Sequence, residues 1–252
     1  MQSVEIAMTV LQALERKAGP ASLTQLAAMS GMQPSKIHRY LVSLGRIGFV
    51  SQSPSSALYD FGPSMRRLGT EALRRMDEVG LASEYLPGLR DRTGHAVNLA
   101  VWGDHGPVVV RWNYGSYALP ITVRVGATMP MLTSSIGRVY LAHLPTVLTE
   151  PVLREQADTA AQADLSDAEI EALKEEVRMQ GFAVTSGGVV PGVSSVAAPV
   201  FTTGDSLPLV VALVLPARHA TEAAIAQLAR ELCDTTAAVS AGIGHTSATT
   251  AS

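Results

Sequence analysis

The residues best suited to chemistry in this chain lie between positions 34 and 47. Ser35, Lys36, His38, Arg39, Ser43 and Arg46 alternate there with Ile37, Leu41, Leu44 and Ile47. At helical periodicity the apolar set, spaced by three and four, forms one inward stripe and leaves the polar set on the opposite face. That face carries cations able to hold phosphates, and hydroxyl, imidazole and guanidinium groups able to reach base edges. Lys36, Arg39 and Arg46 suit phosphates or guanine edges, whereas Ser35, His38 and Ser43 suit bases. A helical hairpin with a solvated face would carry a similar pattern, so the flanking elements decide.

Those elements favour nucleic acid. Ser22-Leu23-Thr24-Gln25 has capping-box form and opens a short helix, which Gly31 ends. Met32-Gln33 is a turn, and Pro34 suits a first helical position, where no N–H is needed. Gly48 stops the second helix. Phe49–Ser51, Gln52–Ser56 and Ala57–Phe61 then read as strand, tip and strand, which is a wing. An earlier helix over Ser3–Lys17, with Val4, Ala7, Val10, Leu11 and Leu14 inward, supports the other two. The sequence therefore predicts a winged helix-turn-helix over residues 1–62. Its second reading helix fits a major groove. The wing tip has no lysine or arginine, so its contacts are expected to be uncharged hydrogen bonds.

Charge is distributed accordingly. The 252 residues carry a net −3, but nine Lys/Arg against four Asp/Glu within residues 1–76 make that part +5, and the remainder is −8. Only the front part is suited to a polyanion. With 47% apolar and 16% charged residues, the composition is that of a globular protein. One cysteine, Cys233, permits neither an intrachain disulfide nor a Cys-rich zinc site. Its neighbours Leu228, Leu232 and Ala237 suggest a buried, inert thiol. Six histidines show no metal spacing, and no nucleophile, base and orienting acid assemble, so neither a metal, a cofactor nor an enzyme is expected. No apolar run reaches membrane-span length, and the amphipathic N-terminus does not read as a signal peptide, so a cytoplasmic protein without membrane contact is expected.

Behind the wing, Gly62-Pro63 opens a predicted linker helix over 63–79. It has an apolar stripe of Met65, Leu68, Ala72, Leu73 and Met76, and Arg66, Arg67, Arg74 and Arg75 along its sides. The stripe could pack on a second chain or within its own. Residues 80–242 then read as helix Leu81–Thr93, strands Ala96–Trp102, Pro107–Trp112 and Ala118–Val125, and helices Ser134–Leu144, Leu148–Gln156 and Ala168–Gln180. Strands Phe182–Ser186, Val193–Phe201 and Leu207–Leu215 follow, with a closing helix Thr221–Ala241. Residues 243–252 are expected to be a disordered tail. Strands joined by hairpins and flanked by helices make an α+β domain around an antiparallel sheet. Ala96, Asn98, Ala100 and Trp102 share one face of the first strand by alternation. Asn98, if buried there, needs a partner from a ligand, the backbone or water.

Three blocks in this order resemble the IclR family of bacterial transcriptional regulators. They are Ser22–Gln25 with Pro34–Phe61, Gly126–Arg138, and Arg178–Val184 with Gly192–Phe201. The resemblance spans nearly the whole chain. It implies a winged helix-turn-helix, a linker helix and a C-terminal GAF/profilin-like effector-binding domain. It also implies homodimers, often paired into homotetramers, on palindromic double-stranded DNA operators. In the family, backbone N–H groups at a helix start hold a small carboxylate effector, and the matching positions are Ser135 and Ile136. Apolar wall positions fall on Ala118, Ile121, Met129 and Val193. A family acid falls on Thr185 and a family cysteine on Ser195, and Leu132 stands where histidine is usual. Gly188-Val189 stands where an acid is usual. The expected effector is accordingly larger or more apolar than a two- or three-carbon keto acid, such as an aromatic carboxylate, with Asn98, Ala100 and Trp102 on the facing strand. A ligand-responsive regulator, repressing or activating, is the expected function. A hydrolase anchored to DNA and a ligand-independent architectural DNA binder are the alternatives.

Overall fold

Capping side chains and left-handed glycines set the element boundaries in the computed structural model, which describes residues 2–17, 19–119, 123–157, 165–204 and 206–246. The chain divides into two units, Met1–Met76 and Asp77–Ser252. The first contains α1 (Gln2–Lys17), α2 (Leu23–Ser30), α3 (Pro34–Arg46), β1 (Val50–Gln52), β2 (Tyr59–Phe61) and α4 (Pro63–Arg75). Ser22 caps α2 through a complete capping box with Gln25, and Gly31 closes it at φ 65°. Val10, Leu14, Leu26, Ile37, Leu41 and Val50 meet in one core, which orients α3 by its apolar stripe. Ala21 and Tyr59 exchange backbone hydrogen bonds of 2.9 and 2.8 Å, fastening the wing to the segment before α2.

Three expectations need correction in this unit. Val4 is 72% exposed and takes no part in the inward stripe of α1, since it lies near the N-terminal end of the helix. Ile47 is 57% exposed and does not join the buried stripe, because α3 ends at Arg46 and Gly48 (φ 73°) turns the chain at once. The helix predicted over 63–79 stops at Arg75. The next helix, α5 (Glu78–Thr93), starts earlier than Leu81 because the Asp77 carboxylate accepts from the Gly80 N–H at 2.8 Å and caps it.

The second unit is α+β. After α5 come β3 (Ala96–Gly103), β4 (Gly106–Asn113), α6 (Ser135–His143), α7 (Thr146–Ala157), α8 (Asp167–Gln180), β5 (Ala183–Ser186), β6 (Val193–Val200), β7 (Leu209–Pro216), a 3₁₀ turn (Ala217–His219) and α9 (Glu222–Ile243). The strands form an antiparallel sheet of order β4-β3-β7-β6-β5. Alternation sends Val97, Leu99, Val211 and Leu213 to the face covered by α5 and α9. Ala100, Ala183, Ala197, Val210 and Ala212 go to the other face, where Ile136, Val139 and Tyr140 of α6 and Val177 of α8 pack on them. Small residues on that face let the helices approach closely.

No strand forms at the described residues of Ala118–Val125, and 120–122 lie outside the described set. Leu119 and Val123 serve as a wall (below) instead of a ladder. α9 runs to Ile243 and is closed by Gly244 in the left-handed conformation, so Gly242 and Ile243 belong to the helix and not to a tail. Residues 247–252 lie outside the described set. No helix among the described residues is long and apolar enough to cross a membrane.

A tight approach on the helical face is at Gly137. A Cβ there would overlap the Pro130 carbonyl and the Met131 backbone. Gly137→Ala is therefore expected to destabilise the protein by about 2 kcal/mol or more, since backbone must shift to admit the methyl group. Gly69, inside α4, is the control, because a Cβ at that position would meet nothing within 4 Å. Gly69→Ala should be neutral or stabilising by up to ~1 kcal/mol. Urea unfolding of both variants checks the contrast.

Candidate functional site: a polar helix face and an internal cavity

α3 presents the first candidate surface. With Ile37, Leu41 and Leu44 buried, the residues of the opposite arc are outward: Ser35, His38, Arg39, Ser43 and Arg46 exposed, Lys36 half-buried. No acid pairs with Lys36, Arg39 or Arg46 among the described residues, so all three charges are available to an anion. The Ser43 hydroxyl donates to the Arg39 carbonyl at 3.1 Å and keeps its lone pairs outward. Val42, 41% exposed, lies in the middle of this arc. A search for polar groups overlooks it, yet an apolar side chain on such a face suits a thymine methyl. The wing tip is tied internally: Gln52 donates to the Ala57 carbonyl (2.9 Å), and the Ser53 and Ser55 hydroxyls bond at 3.1 Å. Ala57 holds φ 57°, an uncommon conformation for alanine that this bonding fixes.

The second candidate is a cavity between the sheet and the start of α6. Its space for the centres of water-sized molecules is about 50 Å³, against the ~10–15 Å³ that one water needs. Asn98, Trp112, Ala212 and Val214 form part of its floor, Val193, Ser195 and Thr185 another part. Met129, Ser135, Ile136, Leu119, Val123 and the 188–190 loop close it. Two cross-strand rows build the floor: Trp112–Asn98–Ala212, and Val214–Ser195–Thr185. No charged side chain is among the described lining residues.

The roof comes from local bonding. Ser134 caps α6, accepting from the Gly137 N–H at 2.9 Å while its hydroxyl donates to the Pro130 carbonyl at 2.6 Å. Ser135 does not cap. Its hydroxyl bonds Ser195 at 2.6 Å, and Ser195 bonds Thr185 at 3.2 Å, a chain of three hydroxyls along one side of the cavity. The Ser135 and Ile136 N–H groups, in the first helical turn, have no acceptor within the helix. They stand at the positive end of the helix dipole. Arg138 anchors the roof, donating to the Leu132 carbonyl at 2.7 Å and to that of Val184 at 3.4 Å. Gly188 is needed because a Cβ would overlap the Thr133 carbonyl.

Of the positions read from the sequence, Asn98, Met129, Ser135, Ile136, Thr185, Val193 and Ser195 are brought together around this cavity. Ala100 and Trp102 are not. They lie on the same face but farther along β3, where α6 covers them: the Tyr140 hydroxyl donates to the Ala100 carbonyl at 2.9 Å, and the Trp102 ring lies 5.4 Å from the Tyr140 ring. Ala118 is exposed, and its neighbour Leu119 supplies the wall. Ile121 lies outside the described residues. Leu132 packs with Met131, Leu141 and Val152, so its lack of polarity does not alter the cavity lining. Trp112, Val214 and Ala212 were not anticipated. The cross-strand partners of Asn98 name two of them once the register is known. Cys233 is half-buried, and burial, then Asp234, pushes its thiol pKa up, away from reactivity.

The chain is similar to known proteins over nearly its whole length. Residues 70–241 match the family model described as bacterial transcriptional regulator IclR C-terminal, and residues 3–54 match the IclR helix-turn-helix domain. The HTH-type transcriptional regulator XynR of Escherichia coli K12 is 25% identical over 247 residues, covering 97% of this chain and 98% of that one. The DNA-binding transcriptional repressor YiaJ of the same organism is 24% identical over 250 residues, 97% and 89% of the two chains. The crystal structure of Pseudomonas aeruginosa HmgR superposes with a TM-score of 0.85 at 33% identity, covering 97% of this chain and 99% of that one.

Arg39→Ala is expected to lower affinity for target DNA on the order of tenfold and to reduce the slope of log K against log salt by about one. The circular dichroism spectrum should stay unchanged, because Arg39 is exposed. Titrations at several salt concentrations check this, and equal affinity at matched salt would remove Arg39 from the interface.

Proposed function

This chain belongs to the IclR family of bacterial transcriptional regulators, and from that premise we propose that it couples operator binding by α3 to a small apolar or aromatic carboxylate held in the cavity. Its relatives are regulators of transcription, not enzymes. The observation that carries the ligand reading is the pairing of two α6 N–H groups, lacking a helical acceptor, with a lining otherwise apolar or hydroxylic. A carboxylate stripped of water must recover strong hydrogen bonds. Helix N-terminal N–H groups supply them, with the one hydroxyl hydrogen that the Ser135–Ser195–Thr185 chain leaves over, and charge-assisted bonds contribute ~1.5–3 kcal/mol each. Met129, Ile136, Val193, Val214 and Leu119 then favour an apolar body.

The same reading extends to assembly. Two-fold protein symmetry suits a palindromic operator. In the first unit Leu68 on α4 is 55% exposed and Ile47 57%, an apolar patch that a second copy would cover. We assign Ser35, Lys36, His38, Arg39, Ser43 and Arg46 to DNA contact, with the uncharged wing tip beside them. The name of the YiaJ relative favours repression as the mode of action.

A thermal-shift panel on the full chain tests the ligand reading, with glyoxylate, pyruvate, benzoate and phenylacetate as probes. A ligand of native protein at a hundred times its Kd stabilises by about 2.7 kcal/mol, or roughly 5–10 °C at this size. Aromatic acids should give that saturable rise. Rises only with the two- and three-carbon acids would overturn the apolar reading of the cavity. A flat panel would favour a DNA binder that no metabolite alters.

A further inference from the structure

Among the described residues, two buried polar atoms in the cavity floor have no hydrogen-bond partner: Asn98 Oδ1 and Trp112 Nε1. Asn98 is 2% exposed. The two residues sit directly opposite each other across the β3–β4 pair, on the face that lines the cavity. Leaving either atom unpaired costs about 1–3 kcal/mol, so a protein with both invites a group that satisfies them together. Their chemistry is complementary: the amide oxygen only accepts, and the indole N–H only donates. A hydroxyl both donates and accepts at a single atom, as a water does, and on a ligand it satisfies both atoms at once.

The rest of the floor restricts where such a group could sit. Ala212 continues the Asn98 row and offers no polar atom. The other polar end, at Ser195 and Thr185, is separated from Asn98 by β7 and has its hydroxyls already bonded to one another and to Ser135. From β3 to β6 is two strand spacings, about 10 Å between backbones. That distance suits one six-membered ring with a polar substituent at each end.

We propose that the ligand class of this cavity is the hydroxy-substituted aromatic carboxylates, with the hydroxyl donating to Asn98 Oδ1 and accepting from Trp112 Nε1–H while the carboxylate lies at the start of α6. The proposal rests on the reading of the cavity as the effector site. It makes Asn98 and Trp112 the residues that set specificity. A site built to pair a ligand hydroxyl discriminates strongly against the analogue lacking it, because the analogue leaves both protein atoms unpaired.

Isothermal titration of the full chain with benzoate, 3-hydroxybenzoate, 4-hydroxybenzoate and 4-methoxybenzoate tests it. At least one hydroxybenzoate should bind tenfold or more tighter than benzoate, and the methoxy compound, which cannot donate, should bind no better than benzoate. Asn98→Leu and Trp112→Phe should each bring the preferred hydroxybenzoate to within about threefold of benzoate. Unliganded melting curves report whether each variant folds, and if Asn98→Leu does not, Trp112→Phe decides alone. Equal affinity of benzoate and the hydroxybenzoates for the wild-type protein would overturn the hydroxyl pairing, as it would if a water satisfied both atoms, and would leave the carboxylate cavity standing. A methoxy compound as tight as its hydroxy counterpart would also overturn the pairing. Binding by none of the four would overturn both the pairing and the aromatic-carboxylate reading beneath it.

Discussion

The second unit depends on how closely the chain from Met129 to Gly137 folds onto itself. The Pro130 carbonyl accepts the Ser134 hydroxyl and occupies the space a side chain at 137 would need. Glycine at 137 is what admits that approach. Three consequences follow from it together. Met131 and Leu132 are buried against Leu141 and Val152. Met129 and Ile136 are turned into the cavity. The first two N–H groups of α6 are left without helical acceptors at the cavity's edge. Arg138 and Gln156 then hold the segment by backbone carbonyl and N–H contacts, so no ion pair among them is needed to keep the roof in place.

The first unit solves its positioning problem by a different route. α3 is oriented by an apolar stripe, and its outward arc is free of internal ion pairs among the described residues. Burial fixes the helix, while charge is left to the partner. The acidic excess is confined to the rear part of the chain, so electrostatic attraction to a polyanion and recognition of a small ligand do not compete for the same groups.

Much of this was readable from local chemistry. Ser22 with Gln25 and Ser166 with Glu169 form the capping boxes their spacing implies, and Gly31, Gly94 and Gly181 end helices in the left-handed conformation. Alternation put Asn98, Ala100 and Trp102 on one face correctly. It could not tell that α6 would cover the far half of that face and leave only Asn98 open, because that depends on where Tyr140 reaches Ala100. Trp112 was invisible for the same reason: its place beside Asn98 follows from a register shifted by a bulge between Leu99 and Ala100. Leu119 and Val123, read as part of a strand, became a wall, since propensity yields to tertiary context. At Asp77 a capping carboxylate starts α5 three residues before the helix expected from Leu81.

The small side chains of the inner sheet face have one more consequence. Ala212, Ser195, Thr185, Val193 and Val214 project into the cavity from strands whose backbone ladder does not depend on what those side chains are. Exchanging one for another changes the shape and polarity of the space without loosening the sheet. Ligand range in such a domain can therefore drift by single substitutions over evolutionary time, while the roof around Gly137 holds the architecture constant.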